Sequence, residues 1–192
     1  STFAVLGYAG VTNAAASVIT GDLGVGWGAP SVTGFDLLNN TIVYGPGGTV
    51  TTGLGIVNGT IYAGGPVADA AHNAAVIAYN YLMDQQAPLA NSYSGVTQLS
   101  QTLGDVTSFN KGVPLTPGVY NFAPSANLKV NGTLYLDFQG NSDALFIFQL
   151  GSTLVTMADS KVIAINNNNQ TCSGSNVYWA VGSSATIDGA QF

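Results

Sequence analysis

Few side chains in this sequence are equipped for covalent or acid–base chemistry. The acids are nine aspartates, the cations are three lysines, and His72 and Cys172 are the lone histidine and thiol; glutamate and arginine are absent. Paired carboxylates can hydrolyse glycosides when two converge across a bond. Here no two aspartates share a strand-like segment or stand two residues apart. Asp22, Asp105 and Asp143 sit beside Gly, Asn or Ser, where an Asx turn accounts for them. His72 has no second His or Glu to work with, so it reads as structural. Cys172 could pair with His72 as a nucleophile, but nothing nearby supplies an orienting acid or an oxyanion hole, so it reads as an inert thiol. No segment has the D-x-[DN]-x-[DN]-G spacing of a calcium loop, and G-D-L-G-V-G-W-G at 21–28 does not fit a phosphate-binding glycine motif. A non-enzyme without metal or cofactor is expected.

The surface is more informative than the reactive groups. Charged residues make up 6% of the 192 residues, where about a quarter is ordinary. A net charge of −6 cannot neutralise phosphates, which excludes nucleic acid and anionic membrane surfaces as partners. No apolar run approaches the ~20 residues of a membrane-spanning helix. One cysteine excludes an internal disulfide framework. The N-x-Ser/Thr sequons at Asn39, Asn58, Asn131 and Asn169, together with the low charge, point to a secreted chain. Outward strand positions carry Thr, Asn, Ser and Ala. Charges orient water around themselves, whereas methyls and hydroxyls let neighbouring waters adopt a cage anchored by hydrogen bonds. Stacked strands repeat at ~4.7–4.9 Å, near the oxygen repeat on some faces of ice. A flat, rigid, charge-poor β-face is therefore a template for ice-like water. An ordinary solenoid surface for partner contact is the alternative.

Such a face must be built from short strands. Residues 18–25, 41–44, 49–52 and 56–62 in the first third are rich in β-branched residues and bounded by Gly, Pro or Asn. Segments 128–138, 144–149, 152–157, 162–165, 177–181 and 185–187 repeat the style. Related fragments recur without a strict period (V-N-G-T-I-Y at 57–62, V-N-G-T-L-Y at 130–135), which favours a β-solenoid over a sandwich or barrel. Pro66 opens one expected helix, about 66–86, with Val67, Ala70, Ala71, Ala74, Ile77, Ala78, Tyr81 and Leu82 as its buried face. Residues 87–118 read as loop, with a short helix near 96–103. The whole chain, 1–192, is expected to form one domain.

Four ordered blocks carry a family resemblance. F-A-V-L at 3–6 with G-V-T-N at 10–13 and V-I-T-G-D-L-G-V at 18–25 resembles the opening of the DUF3494 ice-binding protein family. L-T-P-G-V-Y-N-F at 115–122, D-A-L-F-I-F-Q-L-G-S-T-L at 143–154 and N-V-Y-W-A-V-G-S-S-A-T at 176–186 are similar to its later motifs. The resemblance implies a mostly β chain: a right-handed, discontinuous β-helix of triangular section with one long α-helix alongside. It implies a secreted, non-catalytic protein without metal that adsorbs irreversibly to the ice crystal surface, causing thermal hysteresis and inhibiting recrystallisation; a monomer is expected. The family's site is one flat face rather than a fixed motif. By alternation, Val50, Val57, Ile61, Val130, Leu134, Leu154 and Ile187 should point inward. Thr49, Thr51, Asn58, Thr60, Thr133, Thr153, Thr186 and Asp188 should point outward, and a subset, with Ala9 and Thr12, should form the ice face. Asp188 is the odd member because its charge opposes an ice-like cage. A glycan at Asn58 or Asn131 would conflict with such a face. The family pattern continues with further coils, which are expected to be absent after Phe192. A secreted adhesion or glycan-contact module on the same fold is the alternative function, with Tyr62 and Tyr135 as stacking residues; a polysaccharide-active enzyme comes third.

Overall fold

Among the described residues, glycine and asparagine cut this chain into strands of two to five residues, and every strand pair between them is parallel. The computed structural model describes residues 3–14, 16–85, 97–98, 101–105, 110–168 and 176–188. It is mostly β with one helix, and it divides into two compact units, Ser1–Ala78 and Tyr79–Phe192.

In the first unit the strands are β1 (Phe3–Gly7), β2 (Gly10–Thr12), β3 (Val18–Thr20), β4 (Asp22–Val25), β5 (Ser31–Phe35), β6 (Thr41–Tyr44), β7 (Thr49–Thr52), β8 (Ile56–Asn58) and β9 (Thr60–Ala63). They form three parallel sheets, ordered β1-β4-β9-β6, β2-β5-β7 and β3-β8. The chain visits these sheets in turn, except that it passes from β5 to β6 without a strand in the β3-β8 sheet. β9 settles between β4 and β6 although β6 precedes it, so spatial and sequence order differ. The segments 18–25 and 56–62 expected as single strands each divide at a glycine, into β3 with β4 and β8 with β9. The physical reason is close approach. A Cβ on Gly59 would stand 2.4 Å from the Gly21 carbonyl oxygen, and Gly21 itself has φ +118°, so both corners exclude side chains. The inward positions Leu23, Val25, Val32, Phe35, Val57, Ile61 and Ala63 form the core, with Val50 packed against it.

In the second unit the strands are β10 (Thr97–Gln98), β11 (Gln101–Leu103), β12 (Gly118–Phe122), β13 (Ala126–Leu128), β14 (Thr133–Asp137), β15 (Phe146–Leu150), β16 (Thr153–Thr156), β17 (Lys161–Ile165), β18 (Val177–Val181) and β19 (Ser184–Ile187). The sheets are β10-β12-β15-β18, β11-β13-β16-β19 and β14-β17. Facing residues are 24 apart between β10 and β12 and 25 between β11 and β13, then 28, as in Asn121 with Gln149, and 31 in the last pairs, as in Thr153 with Ser184. This changing interval is why the motif echoes showed no strict period. Where a short helix was expected near 96–103, β10 and β11 stand instead, because Gln101, Thr102 and Leu103 pair with Ala126, Asn127 and Leu128. Aromatic stacking runs through the core from Tyr120 to Phe148 (5.4 Å) and on to Trp179 (4.0 Å).

The helix α1 (Pro66–Met83) begins at the expected proline and ends three residues early. Its buried residues are Ala68 and His72, not the expected stripe. Val67, Ile77 and Tyr81 are exposed. The turn at 26 sets this rotation: Gly26 lies so close to His72 that a Cβ there would stand 2.5 Å from the His72 ring. His72 Nε2–H donates to the Gly7 carbonyl at 2.7 Å, with Tyr8 edge-on to its ring. A polar anchor thus replaced the apolar stripe as the contact. At the C-terminal end, Gln149 caps the carbonyls that a helix leaves unpaired. Its Nε2 donates to Leu82, Met83 and Gln85 at 2.6, 3.1 and 2.9 Å, while its Oε1 accepts from Asn121 Nδ2 at 3.1 Å.

Two inward assignments fail. Val130 is 48% exposed because residues 129–132 are a turn, with Asn131 at φ +55° and Gly132 N–H donating to the Lys129 carbonyl, and strand alternation does not run through it. Ile187 is 55% exposed although it stands in register with the fully buried Thr156. β19 is the edge of its sheet among the described residues, so no described strand covers its inner side.

Candidate surface site

The sheet β2-β5-β7 carries one three-residue pattern in each strand: Gly10-Val11-Thr12, Ser31-Val32-Thr33 and Thr49-Val50-Thr51. The register aligns them without offset. Val11, Val32 and Val50 face each other, Thr12, Thr33 and Thr51 form a second column, and Gly10, Ser31 and Thr49 form a third. Val32 is fully buried, so strand alternation sends the other two columns outward. Threonine suits this arrangement because its branched Cβ favours the strand and fixes χ1, holding methyl and hydroxyl in place. Neighbours within a column are ~4.7–4.9 Å apart, and the two columns are separated by two residues, about 6.6–6.8 Å. No charged residue lies in β2, β5 or β7. Ala9 leads into β2, and its carbonyl accepts the Ser31 N–H at 3.1 Å.

A second charge-free outer surface lies on β11-β13-β16-β19 in the other unit. Thr102, Asn127, Val155 and Thr186 share one column, and Thr153 faces Ser184 in another. Ser125 and Thr153 hydroxyls are 2.8 Å apart, and those of Ser152 and Ser183 are 3.2 Å apart. Asp188 follows β19, exposed, its N–H donating to Thr156.

The structure therefore gathers Thr12, Thr49 and Thr51, with Ala9, on one sheet, and Thr153 and Thr186 on another, while Asp188 lies just past the end of β19, outside that sheet's strands. It does not bring the remaining three to either. Asn58 ends β8 opposite Thr20. Thr60 is half-buried on the sheet of β4, its N–H donating to Asp22 Oδ1 at 2.9 Å. Thr133 pairs with Lys161, on a sheet that also carries Asp137 and so is charged. Residues 31 and 33, the middle of the first face, were missed by sequence reasoning. The signal was present: the same small-residue–Val–Thr pattern recurs three times, at intervals too uneven to register as a repeat.

Among the described residues, no three of His, Cys, Asp or Glu cluster as a metal site, and Cys172 and Asn169 lie outside them. Lys129 is engaged by Asp105 at 2.6 Å. Asp36 is held below the usual carboxylate range, first by the Asn39 side chain and then by the Leu38 N–H, which is turn chemistry rather than catalysis. Among the described residues, no helix is long and apolar enough to cross a membrane.

The family model for ice-binding-like proteins matches residues 5–192. The chain belongs to that family. As an ice-binding-like chain it is 38% identical over 193 residues to an ice-binding protein of Nostoc sp. (strain HG1), covering 100% of this chain and 57% of that protein. It is 34% identical over 111 residues to ice-binding protein 1 of Shewanella frigidimarina, covering 58% of this chain and 11% of that protein. The crystal structure of the ice-binding protein from the Antarctic ascomycete Antarctomyces psychrotrophicus is similar at TM-score 0.67 and 28% identity, covering 97% of this chain and 73% of that one. The chain thus spans little more than half the length of the Nostoc relative. The family points to a non-enzymatic role.

Proposed function

We propose that this chain binds ice, and that the outer face of β2-β5-β7 is its adsorption surface. The observation that carries this reading is the register that aligns Thr12 with Thr33 and Thr51, and Gly10 with Ser31 and Thr49. Strand backbones fix the spacing, the valine column beneath holds the strands rigid, and the absence of charge leaves water free to order into a cage on methyls and hydroxyls. A surface pre-ordered in this way loses little entropy when the cage joins a crystal. Bound molecules then curve the growth front between them, which opens a gap between melting and growth and slows recrystallisation. The charge-free face of β11-β13-β16-β19, with Thr153 and Thr186, has the same chemistry and is proposed as a second contributor.

Rotation of all-parallel strands through three sheets supports a discontinuous β-helix of triangular section in each unit, and a right-handed one, because parallel crossovers are right-handed in about 98% of cases. Low charge and the sequons support a secreted chain. The net charge of −6 supports a protein that ignores nucleic acid and membranes, and we take it to act as a monomer. The test is uptake into a slowly growing ice hemisphere. The fluorescently labelled chain should be incorporated, and Thr33→Tyr, which places a ring on the central column, should be excluded while keeping its melting temperature. Equal uptake of both would move the site off this face.

A further inference from the structure

Beside the first unit's helix start lies an open cleft of about 310 Å3, lined by Trp27, Gly28, Pro30, Pro46, Gly64, Gly65 and Asp69. Its chemistry differs from that of the threonine columns. Trp27 is 45% exposed and has φ +47°, a left-handed conformation that is costly for any residue with a Cβ and is usually left to glycine. Gly28, with φ +82° and open space around its missing Cβ, leaves that turn uncluttered. Tyr8 packs edge-on to the indole at 5.9 Å, bracing it while leaving the ring exposed. The floor is backbone. A Cβ on Gly64 would stand 2.8 Å from Pro30, and one on Gly45, which packs against Gly64 and Gly65, would stand 2.2 Å from Gly65 N, so the shape is preformed.

Two polar groups remain unused. Among the described residues, neither the Trp27 indole N–H nor the half-buried Asp69 carboxylate has a hydrogen-bond or ionic partner within the protein, and with Trp27 45% exposed both are open to a ligand. One apolar plate, one free donor and one free acceptor form a set suited to a polyol ring. The first unit contains Asp22, Asp36 and Asp69 but no lysine or arginine, so phosphorylated, sulfated or uronic ligands are repelled.

We propose that this cleft binds a neutral β-linked oligosaccharide whose hydroxyls are equatorial. Such a pyranose presents axial C–H groups on its faces, and the electron-rich face of Trp27 stacks on one of them. The indole Nε1–H donates to a ring or hydroxyl oxygen, and the Asp69 carboxylate accepts from one or two hydroxyls. The volume holds one to two sugar rings at the lower end of the range for small-molecule sites. The cleft adjoins the threonine face through Pro30, whose carbonyl accepts the Thr49 N–H at 2.9 Å, and a chain carrying both sites would adsorb to ice and to a polysaccharide matrix.

The experiment is calorimetric titration of the purified chain with cellotetraose and chitotetraose, with tetramethylammonium as a competing probe of an aromatic cation site. Saturable binding of one tetrasaccharide, weakened about tenfold or more by Trp27→Ala and by Asp69→Asn and largely restored in Trp27→Tyr, is expected. Circular dichroism melts of each variant separate lost binding from lost folding. Binding of neither sugar, binding unchanged in a folded Trp27→Ala variant, or tetramethylammonium binding in preference to both sugars would each overturn the proposal.

Discussion

Exchanging valine and threonine at adjacent positions of β5 is the sharpest probe of which way this face points. Val32 and Thr33 have nearly the same shape and differ by one hydroxyl, yet one is fully buried between Val11 and Val50 and the other sits between Thr12 and Thr51 on the outside. Val32→Thr places a hydroxyl in a cluster whose other members, among them Leu23, Phe35 and Ile61, have apolar side chains. An unpaired buried hydroxyl costs about 1–3 kcal/mol. For a chain of this length each kcal/mol shifts the melting temperature by roughly 2–4 °C, so the expected drop is about 2–12 °C. Thr33→Val removes a solvated hydroxyl and keeps the methyl, so its effect on stability should stay within about 0.5 kcal/mol. Circular dichroism melts of the two variants decide the matter. If Val32→Thr melts with wild type while Thr33→Val loses stability, the register is off by one residue. Every side chain on the face would then be inverted.

Three other outcomes follow from the same geometry. Leu154→Ala, at a buried position, should cost about 2–5 kcal/mol in urea unfolding, whereas Ile187→Ala at the exposed sheet edge should cost well under half of that; equal costs would show that Ile187 is covered. Gln149→Ala should lose about 1–3 kcal/mol by leaving the α1 carbonyls uncapped, and Gln149→Glu more, because a carboxylate would face three carbonyl oxygens; a neutral Gln149→Glu would refute the cap. Asp36 is depressed in the folded chain, so its contribution is complete above the ordinary carboxylate value and fades as pH falls through the folded value. The melting-temperature gap between wild type and Asp36→Asn should therefore be constant at neutral pH and close as pH falls below the ordinary carboxylate range; a gap that persists in strong acid would contradict the turn role.

The strand alternation that buries Leu134, Leu154 and Ile61 was legible because a half-buried strand imposes period two on its residues. Alternation fails where the backbone turns, and Val130 shows it: nothing in V-N-G-T distinguishes a continuing strand from a left-handed Asn131 corner until the neighbouring strand is present. The helix was legible from Pro66, but its buried face was not. A stripe of Val, Ile and Tyr is the usual apolar contact, and here His72 displaced it by reaching the Gly7 carbonyl beside Gly26. The candidate face was half legible. Thr12, Thr49 and Thr51 stood out individually, while Ser31 and Thr33 stayed hidden because which strands are neighbours is decided by tertiary pairing. Asn58, Thr60 and Thr133 have the right residue type and lie on other sheets for the same reason.

The central claim is that this chain holds an ice surface, and nanolitre osmometry on a single crystal tests it most directly. A faceted crystal that does not grow over a measurable gap below its melting point, with most of that gap lost in Thr33→Tyr, is the expected result. A round crystal that grows freely on the first increment of cooling, in a sample shown to be folded, would contradict it.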